Sequence, residues 1–251
     1  MANPALTDKR IQFLDTTSDP ALRMTRAGVA KALGVFAVFG LVGGALGWYE
    51  GEPSAVTTNT NTIMIVSILA AFGLSMIIVR RPKLARVLGV AYAILEGFAV
   101  GVISAVYNAT YPGIVAEALG ATVGVALVVW FLYGTGIIKV TAKVTRVITM
   151  AMIGAIAFYG VTLLVMVFGG PDLDGSGGAL GIGISLVLAV IAASTFLIDF
   201  DRIDKLIAAN VGAEYDWYGA FGLVLSFIWL YLEILNILGK ARGGGVGRIR
   251  G

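Results

Sequence analysis

GALGIGISLVLAVIAASTFLIDF, residues 178–200, runs for twenty-one residues without a charge before it reaches Asp199. A helix needs about 20 apolar residues to cross the roughly 30 Å hydrocarbon core of a bilayer, so this stretch puts the chain in a membrane. Six more segments of the same kind flank it: 28–49, 62–80, 85–108, 113–135, 144–169 and 217–239. Composition agrees. The 251 residues are 58% hydrophobic and 13% charged, with mean hydropathy +0.91, whereas a soluble domain is about a quarter charged. The expected fold class is all-α integral membrane: a seven-transmembrane-helix bundle over 27–239, with a polar leader at 1–26 and a flexible, glycine-rich basic tail at 240–251.

Lysine and arginine give the expected orientation. Fourteen of the eighteen basic residues fall in the leader and start of span one (Lys9, Arg10, Arg23, Arg26, Lys31) or in three alternate loops. Those loops carry Arg80, Arg81, Lys83 and Arg86, then Lys139, Lys143 and Arg146, then Arg202 and Lys205; the opposite loops, 50–61, 109–112 and 170–177, carry none. The N-terminus is therefore expected in the cytoplasm. The leader has no early apolar core, so it does not read as a signal peptide. Lys240, Arg242, Arg248 and Arg250 stand against the rule if span seven crosses fully. Either it crosses and the tail is tolerated, or it is re-entrant; its length favours crossing.

No cysteine or histidine is present. That removes disulfides, thiol nucleophiles, Cys/His zinc sites and every histidine dyad, and the chain is not expected to be an enzyme or to carry a cofactor. It also removes the usual proton switch. The formal charge of +3 belongs to membrane flanks and not to a folded basic module, so no nucleic-acid partner is expected.

Three acids lie inside the spans: Glu96, Asp199 and Glu233. Hydrocarbon penalises an ionised carboxylate, so each is a candidate functional residue. Asp199 and Glu233 are equidistant from Asp216, which sits in the polar segment GAEYDW. If the hairpin turns there, and span six continues as an amphipathic extension to about Asn210, the two acids face each other. Facing carboxylates in a dry site share a proton, and the doubly charged pair repels unless a cation lies between them. That is a pH-sensitive latch. The plainer alternative is an Asp199 solvated at the interface. Glu96, followed by Gly97, is either a neutral glutamate bonded to its helix or part of an ion path. Arg80 or Arg81 is placed to anchor span two or to lock the acidic pair, Arg80 being preferred. Phe196, Phe200, Phe227 and Trp229 are close enough in sequence to plug a path. Glycines such as Gly97, Gly101, Gly178, Gly181 and Gly183 read first as sites of close helix packing.

With Glu96-Gly97 in span three, LIDFDRI ending span six and LYLEILNIL in span seven, the chain resembles the Bax inhibitor-1-like family. The likeness covers about 28–239. It places the family's span-six aspartate on Asp199 and its isoleucine on Ile203. The last-span motif falls on Tyr231, Glu233 and Asn236. The departures are Glu233 for an aspartate, Phe200-Asp201 for Thr-Gln, and Ile198 where an aromatic is usual. The resemblance implies a bundle with a central seventh helix and a pH-dependent calcium leak. Its paired acids would sense protons and pass or transiently bind calcium, supported by Tyr231 and Asn236 and contacted by a span-two arginine. A bacterial plasma membrane is the expected location. The alternative role is that of a non-transporting regulatory partner of a membrane protease or other membrane protein, contacted through the leader and tail.

Overall fold

A computed structural model describes residues 16–52, 58–169 and 179–243. Parts of the leader (Lys9, Arg10), Gly178, the loop 170–177 and Arg248 and Arg250 of the tail lie outside the described residues. Seven helices follow in order: α1 (Arg26–Gly51), α2 (Thr58–Arg80), α3 (Ala85–Thr110), α4 (Ile114–Gly134), α5 (Ala142–Val167), α6 (Ala179–Ala208) and α7 (Asp216–Ala241). All seven are long and apolar enough to cross a bilayer. They form an all-α bundle. At 1.5 Å per residue, the 26 residues of α7 reach about 39 Å, a full crossing and not a re-entrant dip.

Helices α6 and α7 have 44% of their most apolar windows buried and α3 has 39%, against 17–22% for the others. The outer helices instead present Leu41, Leu46, Leu69, Leu127 and Leu163 outward. In water such a surface would be a liability; in lipid it is the expected exterior.

The first compact unit comprises Met1–Val106 with Asp199–Leu225. Here α7 meets α1 and α3 through aromatic contacts. Trp217 takes the edge of Phe36 with centroids 5.5 Å apart and the guanidinium of Arg86 over its ring. Phe221 packs edge-on to Tyr92 at 5.0 Å. Small residues bring α1 and α3 closer still. A Cβ on Gly43 or Gly47 would strike the carbonyls of Ile94 and Phe98, and one on Gly97 or Gly101 would strike those of Gly40 and Gly44. The packing expected of Gly97 and Gly101 is thus the observed one, whereas a Cβ on Gly183 would meet nothing within 4 Å.

The described part of the leader lies across the α6–α7 connection. Thr16 and Arg23 bridge Val211 and Gly212 in antiparallel fashion, and the Met24 amide donates to the Val211 carbonyl at 2.9 Å. Pro20–Leu22 forms one 3-10 turn capped by Asp19. Met24, 2% exposed, fills the space beside Gly219 and Ile203. Asp216 accepts from the Thr25 amide at 3.0 Å, and the Thr25 hydroxyl caps α1 through the Gly28 amide. Two anchors of different worth follow. Asp216→Ala removes a partly buried acceptor at a helix start and is expected to cost about 1–2 kcal/mol. Arg26→Ala removes an exposed ion pair to Asp204, 2.8 Å long, and is expected to cost at most about 1 kcal/mol. Thermal unfolding of the two purified variants in one detergent checks the order.

The second unit comprises Tyr107–Ile198 with Ser226–Gly251. In it α7 touches α5 and α6, and the residue just past its end reaches α4. Arg242, just past the end of α7, makes a two-pronged bond to Glu117 in the first turn of α4, 2.6 Å to each oxygen. Lys240 reaches the carbonyl of Gly181 near the start of α6. The end of α7 therefore lies where α4 and α6 begin, as seven crossings require. With partners on α1, α3 and α6 in one unit and on α5 and α6 in the other, α7 is the central helix.

Candidate functional site: buried carboxylates along the last two helices

The α6–α7 register decides where the acids go. Helix α6 does extend past the span to Ala208, and Asn210 takes the left-handed conformation (φ 55°) that ends helices. The chain then makes a 3-10 turn at Ala213–Tyr215, and Asp216 is already the first residue of α7. The turn is thus centred before Asp216, not on it. In the first unit Ile203 faces Gly219, and Asp199 Oδ1 lies 3.0 Å from where a Gly222 Cβ would stand. In the second unit the Thr195 and Ser226 hydroxyls bond at 2.8 Å, and Asn236 donates to Ser185 at 3.4 Å. Both units give the same register.

In the first unit Asp199 lies at the level of Gly222, and Glu233 belongs to the second unit. Each acid has partners in its own unit. Asp199, 7% exposed, has Arg202 one turn along α6, with nitrogen and oxygen 4.0 Å apart. The Arg80 side chain is exposed at the end of α2, where a solvated guanidinium anchors a span at the membrane flank.

Glu233 is 2% exposed and is held by two donors. The Trp229 indole N–H donates to Oε1 at 2.9 Å, and the Tyr159 hydroxyl of α5 donates to the same oxygen in a short hydrogen bond. Trp229, one turn before Glu233, is therefore a hydrogen-bond partner of the acid. Asn236 lies one turn further along the same face. Tyr231 is buried (3% exposed) but points elsewhere, since two residues turn an α-helix by about 200°. Glu96 is half-buried in α3, one turn from Tyr92. Among the described residues no three acidic side chains gather as a metal-holding group.

Tyr159, Ser185, Thr195 and Ser226 were not anticipated. Ser226, Trp229, Glu233, Asn236 and Lys240 recur at intervals of three and four, the spacing of one helix face, so half of this network was readable. Tyr159 was not, because a lone tyrosine in an apolar span carries no mark of its partner.

A search of curated proteins finds no match. The profile of the family described as Bax inhibitor 1 like matches residues 3–243. Seven apolar helices around a central α7, with carboxylates buried on its inner faces, thus belong to a multi-pass membrane protein of the Bax inhibitor 1 like family.

Proposed function

We propose that this protein is a pH-sensitive leak for calcium across a bacterial plasma membrane, with its N-terminus in the cytoplasm. The observation that carries the reading is Glu233, an acid 2% exposed in the central helix that accepts hydrogen bonds from Tyr159 and Trp229. Buried intramembrane acids mark ion and proton paths. Asp199 is a second carboxylate station on the path and Glu96 a third. Conduction needs sites that attract a cation yet release it, and a carboxylate held by a hydroxyl and an indole, as Glu233 is, meets that need. Protonation of Glu233 removes the charge that draws the ion, and the Tyr159 phenol is the group nearest to exchange that proton. In this reading Tyr159 is the proton-sharing partner of Glu233.

The test is calcium entry into proteoliposomes on both sides of neutral pH for wild type, Asp199→Asn and Glu233→Gln. Wild type is expected to pass calcium faster at the higher pH, with Glu233→Gln flattening that dependence and Asp199→Asn lowering the rate. Absence of calcium flux in folded wild type would overturn the leak and favour a non-transporting regulatory partner of a membrane protease.

A further inference from the structure

We propose that Lys240 is a tethered cation, occupying an oxygen-lined site at one end of the polar face of α7 and restricting the entry of mobile cations. The inference rests on the leak reading for its transport consequence, but not for the site itself.

A lysine in the last turn of a spanning helix normally extends its ammonium to the interface. Arg242, two residues further on, does turn outward, to the exposed carboxylate of Glu117. Lys240 does not. It is 3% exposed, and its ammonium donates to the Ser185 hydroxyl at 2.7 Å and to the Gly181 carbonyl at 3.4 Å. Ser185 is itself fully buried and also accepts from Asn236. Burying an ammonium is costly unless dipoles replace its water, and here a hydroxyl and a backbone carbonyl do so. Neutral oxygen ligands of this kind also hold small dehydrated cations, as carbonyl rings do in channels.

Position gives the charge its effect. Lys240 lies seven residues beyond Glu233, two turns along the same face and about 10 Å of helix rise. At that distance, with an effective dielectric constant near 20, a fixed positive charge lowers the occupancy of a monovalent ion beside Glu233 on the order of tenfold. A divalent ion is penalised by the square of that factor. A lysine serving only to staple α6 to α7 would affect stability and leave ion occupancy unchanged.

The experiment uses the full chain as wild type, Lys240→Gln and Lys240→Arg. In detergent, millimolar calcium or sodium is expected to raise the unfolding temperature of Lys240→Gln, where the oxygen site is vacated, and to leave wild type and Lys240→Arg unmoved. In proteoliposomes, Lys240→Gln is expected to pass cations about tenfold faster than wild type, and Lys240→Arg at the wild-type rate. If Lys240→Gln does not fold, Ser185→Ala, which removes one ligand and loosens the ammonium, is expected to show a smaller rise in flux. Folded Lys240→Gln without a cation-dependent shift overturns the site. A shift with unchanged flux, in a wild type that conducts, overturns the restriction. A wild type that conducts nothing defeats the leak reading, and the stability measurement then decides the site alone.

Discussion

Gly97→Leu is expected to yield no folded protein in the membrane. Helices associate in lipid without a hydrophobic drive between them, so close van der Waals contact must supply the adhesion. Between α1 and α3 that contact is backbone against backbone: Gly97 and Gly101 lie on the carbonyls of Gly40 and Gly44, and Gly43 and Gly47 on those of Ile94 and Phe98. The struck atoms are main-chain oxygens within helices, which cannot swing aside as a side chain would. Even alanine at Gly97 or Gly101 is expected to cost about 1–3 kcal/mol through overpacking. The two positions share the α1 surface, so their costs will not simply add. Gly73 and Gly120 supply the control, since a Cβ there meets nothing within 4 Å. Alanine at either is expected to be neutral or to stabilise by a few tenths of a kcal/mol. Yield of monodisperse protein and unfolding temperature across the four alanine variants check this. Equal behaviour of Gly97→Ala and Gly120→Ala would show that the α1–α3 approach is looser than described.

The second large effect is expected at Glu233. Glu233→Ala removes the shared acceptor of Tyr159 and Trp229. It takes that acceptor from a half-buried phenol and a half-buried indole N–H, at up to about 1–3 kcal/mol for each donor, with a cavity beside them. A total loss of roughly 3–5 kcal/mol is expected. Glu233→Gln retains an oxygen acceptor and should lose much less. The same pair separates structure from proton sensing, because Trp229 touches the carboxylate directly. In wild type, its emission is expected to change as Glu233 takes up a proton; in Glu233→Gln, that change should vanish while the spectrum stays that of a folded protein. A pH-dependent change that persists in Glu233→Gln would assign it to another group. Tyr159→Phe isolates the second donor and is expected to cost about 1 kcal/mol.

The chain's linear order was enough for the spans, their number and the class of protein. Hydropathy is a local sum: each segment near 20 apolar residues must be a helix because the bilayer offers the backbone no other partner. The extension of α6 through the LIDFDRIDKLI region was equally legible, since apolar residues recur there at helical spacing. The identity of the buried acids was legible too, because a carboxylate within hydrocarbon is rare and conspicuous.

What sequence could not fix was which groups meet. Treating Asp216 as the midpoint of the α6–α7 hairpin displaced the register, because a polar run looks like a loop whether or not its last residue starts the next helix. Within the first unit the register places Asp199 against Gly222. The inward turn of Lys240, the exposure of Arg80 and the Tyr159–Glu233 bond are likewise tertiary facts. Local composition determines whether a helix forms and where it lives; the rotation and register of one helix against another depend on small residues and single hydrogen bonds many positions apart. The sequence by itself determined a seven-span membrane protein with three interior acids. Only the tertiary structure decided that Asp199 lies beside Gly222 and Arg202 and that Glu233 accepts from Tyr159 and Trp229, because side-chain contact depends on register, and register is set by packing.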